Sequence, residues 1–331
     1  MEMRKTLFCA VAVLAAVPAL AGLRGGPVPA IDTAGIHVAT YYGGRRASVT
    51  FTFDDGLLEH YTLVFPELKR RRLKATFGIV GSKVGRDMKG TPCLTWPMLR
   101  EMAADGQEIA SHGWEHRNVT TLAPEALRHE IERNDSAFAD SLGLRSMTYF
   151  YPGNRKSEAA VARCEAGRVG SRLAQVSLGS KRDSAWMRRW VDGLLADGGW
   201  GVAMTHGITT GYDALGDPSR LWGLLDYVGS LRDSLWVATL ADATAYRRER
   251  GAVAIEVMQA AGTVVVKPSL PLDSSVYRHP LTLVVPAAGP VEARQGSALL
   301  PVALRGGDAL IDFDPHGPPV VLTAAPGRQR H

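Results

Sequence analysis

Two adjacent carboxylates, Asp54 and Asp55, follow the apolar run Val49-Thr50-Phe51-Thr52-Phe53 and precede Gly56. Burying a strand is cheap, but holding two ionisable acids at its end is not, because a charge withdrawn from water needs a partner. Close like charges push their pKa values apart, so such a pair can divide labour: one acid holds a cation while the other moves protons. His112 and His116, four residues apart, and His206, after another apolar run, complete a set of five ionisable side chains. Two imidazoles and one carboxylate are a zinc-binding set that leaves positions open for water and substrate. The four-residue spacing is expected to bring His112 and His116 to one face of a helical turn. Adjacent strand residues point to opposite sides, so Asp54 and Asp55 are not expected to serve one ion equally. At a strand-to-loop bend both can reach one cavity, one as ligand and the other as base. Taken singly, each residue has a plainer role, as a cap, a turn residue or a structural histidine. Five meeting at strand ends argue for a site.

The elements that must position them alternate strand and helix from about residue 45 to 250. Strands are expected at Ala47–Phe53, Ala75–Val80, Glu108–Ser111, Met147–Tyr151, Gly201–Thr205 and Leu235–Leu240. Between them lie amphipathic segments: 57–68, Trp96–Ala104, 121–142 with Thr121 as cap, Lys156–Ala166, Ala185–Leu195, Pro218–Leu231 and Ala241–Arg250. Residues 167–183 fit no element. Repeated strand–helix units predict a parallel sheet, barrel or doubly wound, whose strand C-termini carry the site. Past Gly262 only short apolar runs remain: Val264–Val266, Leu281–Val285, Leu299–Ala303, Leu310–Phe313 and Val320–Leu322. Residues 262–331 are therefore expected to form a small all-β, sandwich-like module. Asp312 and Asp314 alternate on one of its strands and are read as solvent-facing rather than as a calcium site.

The 331 residues are 46% hydrophobic and 21% charged, an ordinary globular composition that excludes long disorder. The net charge of +5 is scattered apart from Lys69-Arg70-Arg71-Arg72 and Arg247-Arg248. Both runs are read as helix ends, where cations offset the dipole, so no nucleic-acid partner is expected. Arg4 and Lys5, the apolar stretch Leu7–Leu20 and Ala19-Leu20-Ala21 have the pattern of a signal peptide over 1–21. This predicts a secreted or periplasmic chain starting near Gly22, with a Gly/Pro-rich tether or wrap over 22–42. The apolar stretch is too short to span a bilayer, and no later segment is a transmembrane candidate. Cys93 and Cys164 allow either a disulfide or two buried thiols.

Three segments, Thr52-Phe53-Asp54-Asp55-Gly56, Ser111-His112-Gly113-Trp114-Glu115-His116 and Thr205-His206-Gly207, resemble the motifs of the polysaccharide deacetylases. These are the NodB-homology enzymes of carbohydrate esterase family four. The resemblance spans residues 43–250. It implies an α/β fold, a distorted (β/α) barrel with fewer than eight complete units. It also implies hydrolysis of acetyl groups from a glycan, with N-acetylglucosamine polymers favoured and acetylated xylan as the alternative. By position, Asp54 corresponds to the general base and His206 to the general acid. Asp55, His112 and His116 correspond to the ligands of a divalent metal, with zinc expected. Tyr151 and Gly153 fall at substrate-binding positions, the N–H of Gly153 facing the oxyanion.

One departure stands out. Phe150 occupies the position where many members carry an arginine that holds the catalytic aspartate, as in the family's Tyr-Pro-Tyr-Gly variant. Arg188 or Arg189 is the expected substitute. Trp114, Tyr151 and Tyr212 are candidates for stacking on sugar rings, Trp222 is assigned to the core, and the loop 211–218 is expected to line a cleft. A carbohydrate-binding protein without turnover is the competing reading. The intact Asp55/His112/His116 set argues against a metal-independent relative acting on a cyclic amide. The sequence defines no oligomeric state.

Overall fold

The strand Ala47–Phe53 is buried along its whole length and lies at the centre of a curled parallel sheet. Its β-branched and aromatic residues suit a strand covered on both faces. One edge pairs with Trp200–Thr205 over the full length. The other edge is shared: Leu235–Val237 pairs with its first half and Thr76–Ile79 with its end. Glu108–Ser111, Thr148–Tyr149 and Gly170–Ser171 continue outward on that side, and Val176–Ser177 lies beyond Trp200–Thr205. Gly170–Ser171 and Val176–Ser177 end the sheet without pairing to each other. This computed structural model describes residues 31–260 and 262–325, so the segment 1–21 and residues 22–30 of the stretch 22–42 lie outside it.

The architecture is the expected α/β one, a curled parallel sheet that does not close into a full barrel. Helices cover its outer face, where Val49, Phe51, Phe53 and Phe77 meet Leu68, Leu99, Met102, Val191 and Leu224. Thr50 and Thr52 face inward, bonded to Trp200 and Arg172. Among the described residues no helix is long and apolar enough to cross a membrane.

Several elements differ from the sequence reading. The segment after Gly56 is a π-helical turn, His60–Val64, followed by a helix, Phe65–Arg71, rather than one regular helix. The long helix is Pro124–Leu142; Thr121 does not cap it, because its hydroxyl donates to Asn118 O in the preceding turn. Residues 167–183 supply the two edge strands, each two residues long and too short to carry a periodic signal. Arg247 and Arg248 lie inside the helix Leu240–Ala252, not at its end. Cys93 and Cys164 are buried, unpaired thiols.

The C-terminal residues form two antiparallel sheets whose inner faces share one core, with Val266, Ala293 and Leu322 on one side and Leu283, Ile311 and Phe313 on the other. Three sequence expectations change. Ala254–Ala260 and Val291–Gln295 are additional strands. Pro301 splits 298–305 into two strands that belong to different sheets. His37–Val38, within the expected tether, pairs with Leu281–Pro286 of this module. Asp314 is exposed as read, whereas Asp312 accepts a hydrogen bond from Thr282 Oγ1 at 2.5 Å.

The last barrel helix joins the two parts. Tyr246 is buried in the sandwich core and donates to Ala39 O, while the buried Glu249 accepts a hydrogen bond from His279 N. Its second carboxylate oxygen has no partner. Burial pushes the Glu249 carboxyl up to about 7. An acid raised in the folded state binds protons there that the unfolded chain has released, so its destabilising effect grows with pH. Glu249→Gln should therefore flatten the fall in Tm as pH rises from the ordinary value of 4.5 toward about 7. Thermal melts across that window test this, and parallel wild-type and variant curves would refute it.

Candidate active site

The five sequence-predicted ionisable residues converge at the C-terminal end of the sheet. Asp54 keeps the strand ladder, its N–H donating to Thr205 O at 2.9 Å. Asp55 then turns into the left-handed region, φ 74°, with Gly56 at φ 66°. This bend lets both carboxylates enter one cavity instead of opposite faces of the sheet. A positive φ is rare for a residue with a Cβ, and such strain clusters at functional sites.

His112 directly follows the strand Glu108–Ser111. Its Nδ1 donates to Phe150 O at 3.0 Å, which leaves Nε2 to face Asp55 Oδ1 at 3.5 Å. His116 Nε2 lies 3.5 Å from the same oxygen, and the two rings are 4.7 Å apart. The two histidines do not share a helical turn. They lie on a loop that Gly113, φ 81°, and His116, φ 62°, fold back on itself. The buried Glu130, reaching in from the long helix, organises that loop: its Oε1 accepts Glu115 N at 2.9 Å and Arg117 N at 3.0 Å. No local periodicity could show this, because the partner is more than ten residues away.

Asp55 Oδ1 is buried without a hydrogen-bond partner, and one ligand atom from each of Asp55, His112 and His116 lies within 4.8 Å of the others. A carboxylate oxygen left bare between two imidazole nitrogens is what a cation would satisfy. The residues therefore fit a divalent ion. Burial and the neighbouring imidazolium of His112 hold His116 down at about 4, and His112, opposed by burial, is raised by Asp55 and Asp54.

Asp54 is 2% exposed, and Arg172 holds both of its carboxylate oxygens at 2.5 Å. Burial opposes ionisation, yet the guanidinium and the nearby imidazoles keep the Asp54 carboxyl below the usual range. Arg172, not Arg188 or Arg189, supplies the charge that Phe150 cannot. Arg188 and Arg189 are exposed on the helix Ser184–Asp197, where Arg188 stacks on Tyr227. Arg172 directly follows the edge strand Gly170–Ser171 and lies 4.0 Å over the Phe150 ring, so Phe150 forms its apolar seat. A Cβ on Gly78 would meet that ring at 2.3 Å, which explains a glycine inside a buried strand. The available clue was that Arg172, like the other site residues, is charged and follows a short run of small and apolar residues.

His206 Nε2 is 3.9 Å from Asp54 Oδ2, and His60 Nε2 donates to His206 O at 2.8 Å. Burial holds His60 at about 4, so it is a neutral donor near pH 7. The five residues line a cavity of about 730 Å3 together with Gly153, Tyr151, Tyr212 and Asp213. The loop after His206 thus borders the cleft as expected. Tyr212 is 75% exposed at the mouth, its ring edge-on to His206 at 5.0 Å. Tyr151 is buried in the floor with its hydroxyl donating to Ser171 Oγ, so it offers no open face for stacking. Trp114 lies outside the cavity lining and under Arg133, and Trp222 packs against the core.

Residues 42–169 match the family model described as polysaccharide deacetylase, and the chain carries a domain of that family. It is 29% identical over 117 residues to YxkH of Bacillus subtilis (strain 168), assigned as a polysaccharide deacetylase; the match covers 35% of this chain and 40% of that one. It is 30% identical over 131 residues to the peptidoglycan-N-acetylglucosamine deacetylase PgdA of Listeria monocytogenes, covering 39% of this chain and 25% of that one. The chain thus spans less than half the length of these relatives. A crystal structure of a Mycobacterium smegmatis protein assigned to the polysaccharide deacetylases superposes with a TM-score of 0.52 at 15% identity. The superposition covers 68% of this chain and 98% of that one, and shows a shared fold.

Glu130→Ala should lower affinity for zinc or cobalt by about 10–100-fold, the usual effect of losing a group that orients ligands. Calorimetric titration measures it, and unchanged affinity would mean that the loop is held by other contacts.

Proposed function

We propose that this chain hydrolyses acetyl groups from a glycan with the aid of a divalent metal, zinc being expected. The observation that carries the reading is the pairing, within one cavity, of a bare Asp55/His112/His116 ligand set with a second carboxylate, Asp54, locked in its ionised form by Arg172. An ion held by Asp55, His112 and His116 would supply Lewis acidity toward the acetyl carbonyl and lower the pKa of water. Asp54 accepts the proton of the attacking water as general base. The Gly153 N–H, at the cavity wall, donates to the developing oxyanion. His206, across the cavity, donates a proton to the departing sugar nitrogen or oxygen. Arg172 neither attacks nor protonates; it fixes the direction of Asp54 and keeps its carboxylate charged.

The N-acetylglucosamine class is favoured by the relative named above, and O-acetyl sugars remain the alternative substrate. Tyr212, exposed at the mouth, is the aromatic surface that a sugar ring can meet. The pattern Arg4, Lys5, Leu7–Leu20 and Ala19-Leu20-Ala21 supports export, with the processed chain starting near Gly22.

The deciding assay is acetate release from chitooligosaccharides, poly-N-acetylglucosamine and acetylated xylan, with zinc or cobalt and with chelator. Release that chelator and Asp54→Asn each abolish is expected. One bound metal per chain with no release on any substrate would favour the competing reading, a glycan-binding protein without turnover. A second outcome concerns the relocated arginine. Arg172→Ala should reduce kcat by about 100-fold or more and shift the acid limb of the pH profile upward, because Asp54 loses the charge that lowers its pKa. Breaking so buried a pair also costs roughly 3–5 kcal/mol of stability, so Arg172→Lys serves as the milder companion. Arg189→Ala should retain wild-type turnover; a large loss there would reverse the assignment.

A further inference from the structure

Asp54 and His206 follow different strands, so something must hold the acid at a fixed distance from the base. A catalytic imidazole ordinarily has its second ring nitrogen bonded to a group that fixes its direction. His206 does not. Its Nδ1 is buried with no hydrogen-bond partner among the described residues, while Nε2 faces Asp54 Oδ2 at 3.9 Å. Tyr212 flanks the ring edge-on, and the hydrogen bonds that restrain the residue lie in the main chain.

Those bonds come from one stretch, residues 54–60. The Asp54 N–H donates to Thr205 O at 2.9 Å, just before the histidine. His60 Nε2 donates to the carbonyl of His206 itself at 2.8 Å. Glu59 takes the residues just after it: Oε2 accepts Ile208 N and Thr209 N, both at 2.9 Å, and Oε1 accepts the Thr209 hydroxyl. Burial opposes the Glu59 charge, but the Thr209 hydroxyl and the N–H groups hold its carboxyl below the usual range, so both oxygens accept near neutral pH. His60 opens the π-helical turn His60–Val64, a form that occurs mostly at functional sites, and its ring is held near Phe53 and Phe77 at 5.4 and 6.0 Å. Neither Glu59 nor His60 lines the catalytic cavity, so neither is placed to touch substrate.

We infer that Glu59 and His60 are positioning residues for the general acid and act through the main chain of residues 206–209. The inference deepens the proposed deacetylase function and rests on it for the role of His206. The stretch that bears the base and a metal ligand then also sets the acid, so the proton donor for the leaving group is indexed to the attacking water.

The test compares two substrates on the zinc-loaded full chain. Sugar nitrogen and oxygen leave only with a proton, whereas the phenolate of para-nitrophenyl acetate leaves without one. Glu59→Ala should lower kcat on the glycan by about 10–100-fold, the scale of a misplaced catalytic group, and leave the aryl ester within about threefold. Glu59→Gln should recover most of the loss, since its amide oxygen accepts the two N–H groups and its amide N–H donates to Thr209 Oγ1. His60→Phe carries the same comparison if Glu59→Ala fails to fold. It keeps the ring packing and gives up only the bond to His206 O, because His60 Nδ1 has no partner. Equal loss on both substrates, or loss on neither, would overturn the inference. A crystal structure of the variant gives a readout independent of activity: the 3.9 Å separation between His206 Nε2 and Asp54 Oδ2 should change by about 1 Å or more. An unmoved His206 sinks the inference whatever the kinetics. A displaced His206 in a chain that releases no acetate from any glycan sinks the deacetylase reading alone.

Discussion

The Arg172–Asp54 pair is the constraint on which the rest of the site depends. A carboxylate 2% exposed to solvent stays charged only if its environment supplies an opposite charge in good geometry. Arg172 meets both oxygens, donates to Thr52 Oγ1 and rests on Phe150. These contacts tie the edge strand to the central strand from inside the sheet. The surrounding choices follow from it: a phenylalanine where an arginine is usual, a glycine at 78 beneath that phenylalanine, and an edge strand so short that the residue after it can turn inward. The arginine reaches the same carboxylate from a neighbouring strand. What the chemistry requires is a charge at a point in space, not a residue at a point in the chain.

Much of this was legible in the sequence. Trp96–Ala104 and Glu108–Ser111 have the bounds that their apolar patterns indicate. Asp54, Asp55, His112, His116 and His206 share a cavity because each follows a strand of one parallel sheet. What was not legible depends on contacts distant in the chain. Glu130 shapes the histidine loop, so the four-residue spacing suggested a helical turn that the backbone does not make. Arg172 lies in a segment whose two-residue strands exist only because neighbours pair with them. Tyr151, read as a sugar-facing ring, is drawn into the floor by Ser171. Pro301 was present in an expected strand, and its missing N–H was the available signal that the strand breaks there.

The catalytic cavity also separates its two acids by surroundings rather than by type. Asp55 is bare toward two imidazoles, and Asp54 is saturated by a guanidinium. The same residue type, one position apart, is thereby suited to bind a cation or to exchange a proton. The left-handed turn at Asp55 makes the division possible, since an unbroken strand would send the second carboxylate into the helix layer.

The pairing of His37–Val38 with Leu281–Pro286 gives the chain a particular order of assembly. One sheet of the sandwich takes one strand from before the barrel and three from after it, with the whole barrel threaded between them. During synthesis the early strand must wait, its edge unsatisfied, until more than two hundred further residues have emerged. Contacts so far apart in sequence form late. The sandwich is therefore a clasp that fastens after the barrel is in place.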